Sequence, residues 1–130
     1  MIVDSSAIVA IVLDEPDGPK MVEAILGAAR ARISAANWFE TTLVIDNRRD
    51  AEISRRLDQL FTKLRIEIVA FDAGMATGAR DAHRRFGRGN HPAKLNFGDC
   101  IAYALAKSEN ESLLFKGNDF SQTDIQPALV

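Results

Sequence analysis

The feature that most constrains this chain is the alternation of short apolar runs, rich in β-branched residues, with amphipathic helical stretches. The first run, MIVD, passes at once into Ser5-Ser6, so it reads as a strand followed by a helix through about Val12. Asp14 to Pro19 is a loop of Asp, Pro and Gly, and from Lys20 to Ala31 the residues Met21, Val22, Ile25, Leu26 and Ala29 recur at helical spacing. Ser34 starts a further helix carrying Trp38, Phe39, Leu43, Val44 and Ile45. From Asp50 to Leu64 the apolar residues Ile53, Leu57, Leu60, Phe61 and Leu64 stand among charges, and these two stretches form a helical hairpin. Ile66 to Phe71 reads as a strand, Asp72 opens a helix to about Phe86, GRGNHPAK is a loop, and Phe97 to Lys107 is a helix of small residues. Leu113 to Lys116 is a short buried strand, and Ile125 to Val130 is a last edge strand, where Pro127 would be tolerated. Strands separated by helices imply a parallel sheet covered on both faces, a three-layer α/β/α domain.

With 47% hydrophobic residues, 130 residues suffice for one domain with a core of its own, spanning 1–130. The lone cysteine, Cys100, excludes an internal disulfide, and no Cys/His cluster has zinc-ligand spacing. The apolar start lacks a basic leader, is interrupted by Asp4 and is too short to cross a bilayer, so it reads as core strand. A cytoplasmic protein with no membrane partner follows. A net charge of −2 gives no global case for nucleic acid, which must therefore be made locally. The local case is RDAHRRFGRGNHPAK, residues 80–94, where Arg80, Arg84, Arg85, Arg88 and Lys94 face only Asp81, five positive charges against one negative. Arg84, Arg85, Arg88 and Lys94 are the candidate phosphate contacts; the alternative is a solvated helix end whose basic residues complement the helix dipole. Arg48, Arg49, Arg55 and Arg56 alternate with acids and read as a solvated face.

In open parallel sheets, sites form beyond the carboxyl ends of the strands, where loops and helix N-termini gather. Asp4 ends the first strand and Asp119 follows the strand 113–116, so both belong to that edge. Asp99 lies near the start of its helix, behind the N-cap Asn96, and alternation brings that end to the same edge. Glu40 has Leu43 and Val44 three and four positions on, which would turn it toward an apolar, inward side. Each acid also has an ordinary reading: Asp4 as a helix cap, Asp99 as a capping-box acid, Asp119 as a turn former, Glu40 as a partly exposed helix acid. Asp72 is a control, since it too follows a strand and opens a helix. If the acids converge, they cannot all ionise without a cation, and a hard divalent metal such as Mg²⁺ or Mn²⁺ suits an all-oxygen set. That chemistry is hydrolysis of a phosphodiester by metal-activated water. His83 and His91 show no ligand spacing, and Cys100 has no basic neighbour in sequence to activate it.

MIVDSSAIVAIVLDEP, the glutamate of NWFETTLVI, LNFGDCIAYALA and LLFKGNDFSQTDI, in this order and across the whole length, resemble the VapC toxins, PIN-domain ribonucleases of toxin–antitoxin pairs. The resemblance implies a central parallel sheet flanked by helices, and metal-dependent endonucleolytic cleavage of RNA with one or two ions per site. It implies metal-binding acids at Asp4, Glu40 and Asp99, with Asp119 as a fourth, and it leaves Asp72 out. It further implies a homodimer and a cognate VapB antitoxin that occludes the site; Trp38 and Phe39 read chiefly as core, with dimer or antitoxin surface as the alternative. The departure is Gly117, which stands where many VapC toxins carry an aspartate, two residues before the Asp-Phe pair. It motivates a second reading, a PIN-like module that binds RNA or a partner without cutting. A third, a phosphorylated receiver domain, fits poorly, because receivers want adjacent acids after strand one and here Ser5-Ser6 follows Asp4.

Overall fold

A computed structural model describes residues 1–129. The elements run β1 (Ile2–Val3), α1 (Ser5–Val12), α2 (Gly18–Gly27), β2 (Arg32–Ser34), α3 (Ala35–Asp46), α4 (Ala51–Leu64), β3 (Glu67–Val69), α5 (Ala73–Phe86), α6 (Phe97–Glu109) and β4 (Leu113–Leu114). The four strands form one sheet in the order β3-β2-β1-β4, and every pairing is parallel. β1 is central, so Asp4, the residue that follows it, leaves the sheet between two neighbouring strands.

Successive strand residues point to opposite faces, and the core divides accordingly. Val3, Ile33 and Leu114 pack on one side with Ile8, Ile25, Ile45 and Leu57 of α1 to α4. Ile2 and Leu113 pack on the other side with Ala82 of α5 and Cys100, Tyr103 and Leu105 of α6. This is the expected three-layer arrangement. α6 is buried over nearly its whole length from Gly98 to Ala106, which explains its small side chains: they let the helix lie close to the sheet and to α5.

Three sequence expectations are corrected. The strand β2 had no sequence signal, because Arg32 opens it and it is only three residues long. Arg32 is nonetheless buried, with its guanidinium donating to Glu109 at 2.9 Å and to Glu111, and α2 accordingly ends at Gly27 rather than Ala31. The strand expected over 125–130 is not formed. The segment meets the sheet in a single bridge between Leu113 and Pro127, closed by Leu113 N–H to Gln126 O and Ala128 N–H to Leu113 O, both 2.9 Å; Val130 lies outside the described residues. Finally, Phe39 is not core: it is 62% exposed, while Trp38 packs on Phe61 with ring centroids 4.4 Å apart.

Candidate functional site: a carboxylate pocket at the sheet edge

Two aspartates reach the sheet edge by acting as helix-start residues. Asp4 is the N-cap of α1, where its Oδ2 accepts from Ser6 N–H at 3.0 Å and from the Ser6 hydroxyl at 2.5 Å. Ser6 Oγ in turn accepts the Lys116 N–H at 3.0 Å, which ties the start of α1 to the end of β4. Asp99 is the N3 acid of a complete capping box: Asn96 Oδ1 accepts from Asp99 N–H at 2.9 Å and Asp99 Oδ2 accepts from Asn96 N–H at 3.0 Å. The ordinary cap reading is therefore correct for both residues. It is also incomplete, because each cap uses only one carboxylate oxygen.

Glu40 arrives for a different reason from the one its sequence suggests. Leu43 and Val44 are 46% and 45% exposed, so they mark no buried face, although Val44 lines the same pocket as Glu40. What makes room for Glu40 is Gly98: a Cβ there would collide with Glu40 Oε2, so the carboxylate occupies the space that a side chain would fill. Ser5 Oγ donates to Glu40 Oε1, and Asn37 holds the junction by donating from Nδ2 to Gly98 O at 3.0 Å. Asp119 comes from the turn after β4 and is exposed. Gly117, two residues earlier, has φ +92°, a conformation that side chains rarely adopt, so the turn itself favours glycine where an acid was expected.

Asp4, Glu40, Asp99 and Asp119 all line one open pocket of about 440 Å³, with Ser5, Ser6 and Lys116. Asp72 does not: it is exposed and caps α5 by accepting from Met75 N–H at 2.9 Å. Burial pushes the Asp4 carboxyl up to about 6 against the lowering hydrogen bonds from Ser6, and Glu40 and Asp119 push in the same direction. Burial likewise lifts Asp99 to about 7, with Asp4, Asp119 and Glu40 adding to the shift. Asp4 and Asp99 thus feel the charge of the other acids in the pocket.

The donor set suits a hard cation. Among the described residues, Asp4 Oδ1, Glu40 Oε2 and Asp99 Oδ1 make no hydrogen bond, while the other oxygen of each is engaged. That leaves carboxylate oxygens and no soft donor in the pocket, a composition that fits Mg²⁺ or Mn²⁺. Among the described residues no three such side chains stand close enough to hold an ion as they are.

The predicted basic contacts are not in this pocket. Arg85 is engaged by the Tyr103 hydroxyl at 3.2 Å and Asp124 at 3.4 Å, whereas Arg84 and Lys94 are exposed and Arg88 faces a separate cavity. The cation that lines the acid pocket is Lys116, paired with Glu15. Sequence reading passed over Lys116, Ser5, Ser6 and Asn37 as site residues. Lys116 had a usable signal, since it follows β4 at the same edge as Asp119; Asn37 had none beyond its place one helical turn before Glu40.

A PIN domain profile matches residues 1–126 of this chain. Ribonuclease VapC28 of Mycobacterium tuberculosis is 48% identical to it over 130 residues, which cover 99% of this chain and 98% of that one. The chain is a PIN domain of the VapC family. Ribonuclease VapC of Mycolicibacterium smegmatis is 43% identical over 125 residues, covering 96% of this PIN domain and 97% of its own length. Among solved structures, VapC20 of Mycobacterium tuberculosis, a Sarcin-Ricin loop cleaving toxin, superposes with a TM-score of 0.76 at 13% identity over 95% of each chain. VapBC2 of Rickettsia felis, bound to a promoter DNA fragment, gives a TM-score of 0.76 at 16% identity over 97% of this PIN domain and 94% of that chain. At such identities the structural likeness speaks for the fold alone. The edge at which the acids gather is the carboxyl edge of that fold.

Proposed function

We propose that this PIN domain, a single unit over residues 1–130, is a divalent-metal-dependent endoribonuclease and the toxin half of a toxin–antitoxin pair. The observation that carries the reading is the meeting of Asp4, Glu40, Asp99 and Asp119 in one pocket of a VapC-family fold. These four residues would hold the metal, with Asp119 the most exposed of them, as one ion or two. When bound, Mg²⁺ or Mn²⁺ supplies the activation of water and the stabilisation of the leaving oxygen in phosphodiester hydrolysis.

The chain's own groups set the stage for that chemistry. Ser6 and the α1 N-terminus fix one oxygen of Asp4, so the other keeps a constant direction. Ser5 does the same for Glu40, and the capping box does it for Asp99. The raised carboxyls of Asp4 and Asp99 make the pocket take up protons when no cation is present, so protons and metal compete for it. Lys116 offers the pocket's positive rim to an incoming phosphate, although Glu15 holds it.

RNA is the proposed substrate, and a VapB-type antitoxin and a second copy of the chain are the proposed partners; the names of the relatives and the toxin–antitoxin complexes among the structural neighbours support this. The described residues contain no helix long and apolar enough to cross a membrane, and we place the protein in the cytoplasm, where its substrate is. The test is cleavage of single-stranded RNA by the purified chain with Mn²⁺ or Mg²⁺. Cleavage that disappears with chelator and in Asp99→Asn supports the reading, and chelator-insensitive cleavage sinks its metal part. A binding module that does not cut is favoured by Gly117 and by the separation of the acids; RNA binding without cleavage under any metal would establish it.

A further inference from the structure

A second cavity, of about 780 Å³, lies between α5 and the start of α6. Its walls are apolar, with Phe71, Leu95, Phe97 and Ile101, and its cations are Arg80 and Arg88, with His83 beside them. No acid lines it. We propose that this cavity is a nucleobase subsite: it takes an unstacked base of the RNA strand next to the scissile phosphate, stacked on Phe97, with Arg80 and Arg88 against the backbone. The proposal rests on the ribonuclease reading above and adds where the substrate lies and which side chains grip it.

Three observations carry it. The first is Phe97, which is 83% exposed directly behind the N-cap Asn96 and has no aromatic partner among the described residues. A phenyl ring held in water on a rigid helix start gains by covering either face, and a base offers a flat π surface of matching size.

The second is the division of labour within the basic segment. Arg85 is engaged by Asp124 and Tyr103, but Arg80 and Arg88 form no ion pair among the described residues. Unpaired guanidinium groups around a cavity without acids favour a polyanion and oppose a basic peptide.

The third is continuity with the acid pocket. Asn96 lines both cavities, and the adjacent residues Asp99 and Cys100 face one each. A strand whose scissile phosphate lies at the acids therefore passes its neighbouring nucleotide over Asn96 to Phe97. Bases within a duplex are stacked and cannot enter, so the subsite selects single strands and loops.

The test uses the full chain and an oligoribonucleotide with one mapped cut, together with copies that carry an abasic ribose at each position flanking the cut. For the wild type, kcat/KM should fall about tenfold for the abasic copy at one flanking position. Phe97→Ala should fall about tenfold on intact RNA, mainly through KM, and lose nothing more on that abasic copy. Arg80→Gln with Arg88→Gln should raise KM and flatten the dependence of log KM on log salt. Phe97→Ala that remains as sensitive to the abasic copy as the wild type would overturn the subsite. So would a loss that is equal on every substrate and accompanied by monomerisation in sedimentation, which would assign Phe97 to contact with a second copy, or unchanged cleavage with lost antitoxin binding, which would assign it to the antitoxin.

Anisotropy of a fluorescent single-stranded RNA in chelator separates the two readings. Binding that weakens about tenfold in Phe97→Ala, with no cleavage under any metal, would sink the enzyme and keep the subsite. Cleavage that is indifferent to Phe97 would do the reverse.

Discussion

Asp4 and Asp72 perform the same local task and differ in everything else. Each follows a strand, each is an N-cap in extended conformation, and each carboxylate accepts from a backbone N–H of the first helical turn. Asp4 leaves the central strand β1 and is 4% exposed, whereas Asp72 follows the sheet-edge strand β3 and stands in solvent. Capping by itself therefore says nothing about function. What distinguishes Asp4 is the company of Glu40, Asp99 and Asp119, delivered by α3, α6 and the turn after β4.

The strongest test of this contrast is a matched set of three substitutions. Asp4→Asn and Asp99→Asn should each reduce RNA cleavage roughly 100-fold or more with the fold intact by circular dichroism, because each removes a charged oxygen from the reacting centre. Asp72→Asn should cleave as the wild type does. Equal losses at all three positions would mean that the pocket has no special standing.

The next effect is on stability, and its sign follows from the raised carboxyls. Burial lifts Asp4 and Asp99 from 3.8 to about 6 and about 7, so the folded chain holds protons that the unfolded chain has already released. Their contribution is fully present below the unfolded value near pH 4 and is lost as pH rises through the folded values. Thermal melts should therefore show Tm falling between pH 5 and 8. Asp99→Asn should be more stable than the wild type at pH 8, on the order of 1–3 kcal/mol, and indistinguishable near pH 4. Mn²⁺ should raise the wild-type Tm at pH 8 and have little effect at pH 5, with the rise much reduced in Asp99→Asn.

A smaller change sharpens the role of Glu40 without altering its charge. Gly98→Ala would put a methyl group where the Glu40 carboxylate lies, and the flexible end of that side chain would swing away. Cleavage should drop about tenfold while the melting temperature stays within a few degrees. The smallest effect returns to the control: Asp72→Ala should lose about 1 kcal/mol in urea melts, the value of an exposed N-cap, with kcat/KM untouched.

Much of this protein was legible before any coordinates. The alternation of apolar runs with 3.6-residue periodicity declared a parallel α/β sheet, and MIVDSS and LNFGDC placed two acids at its carboxyl edge. β2 was not legible, because a strand of three residues beginning with arginine has neither length nor alternation, and Arg32 is tolerated there only through Glu109 and Glu111 from the far end of the chain. The run over 125–130 suggests an edge strand, but among the described residues the segment makes only a single bridge at Pro127. For Glu40 the family resemblance gives the position, whereas its spacing to Leu43 and Val44 gives the wrong reason, since both are partly exposed and Val44 borders the open pocket.

Local signals thus determined the element types, the layer order and the capping residues, because these depend on spacing and on backbone hydrogen bonds within a few residues. Tertiary structure decided how the acids come to share a pocket, which arginines of the basic segment lack an ion pair among the described residues, and which cavity continues the site. Those properties depend on contacts between segments far apart in the chain, such as Glu40 filling the space above Gly98 and Lys116 bonding to Ser6. Burial and mutual repulsion of charge arise only when those segments meet, and they are what turns Asp4 and Asp99 from caps into a candidate metal site.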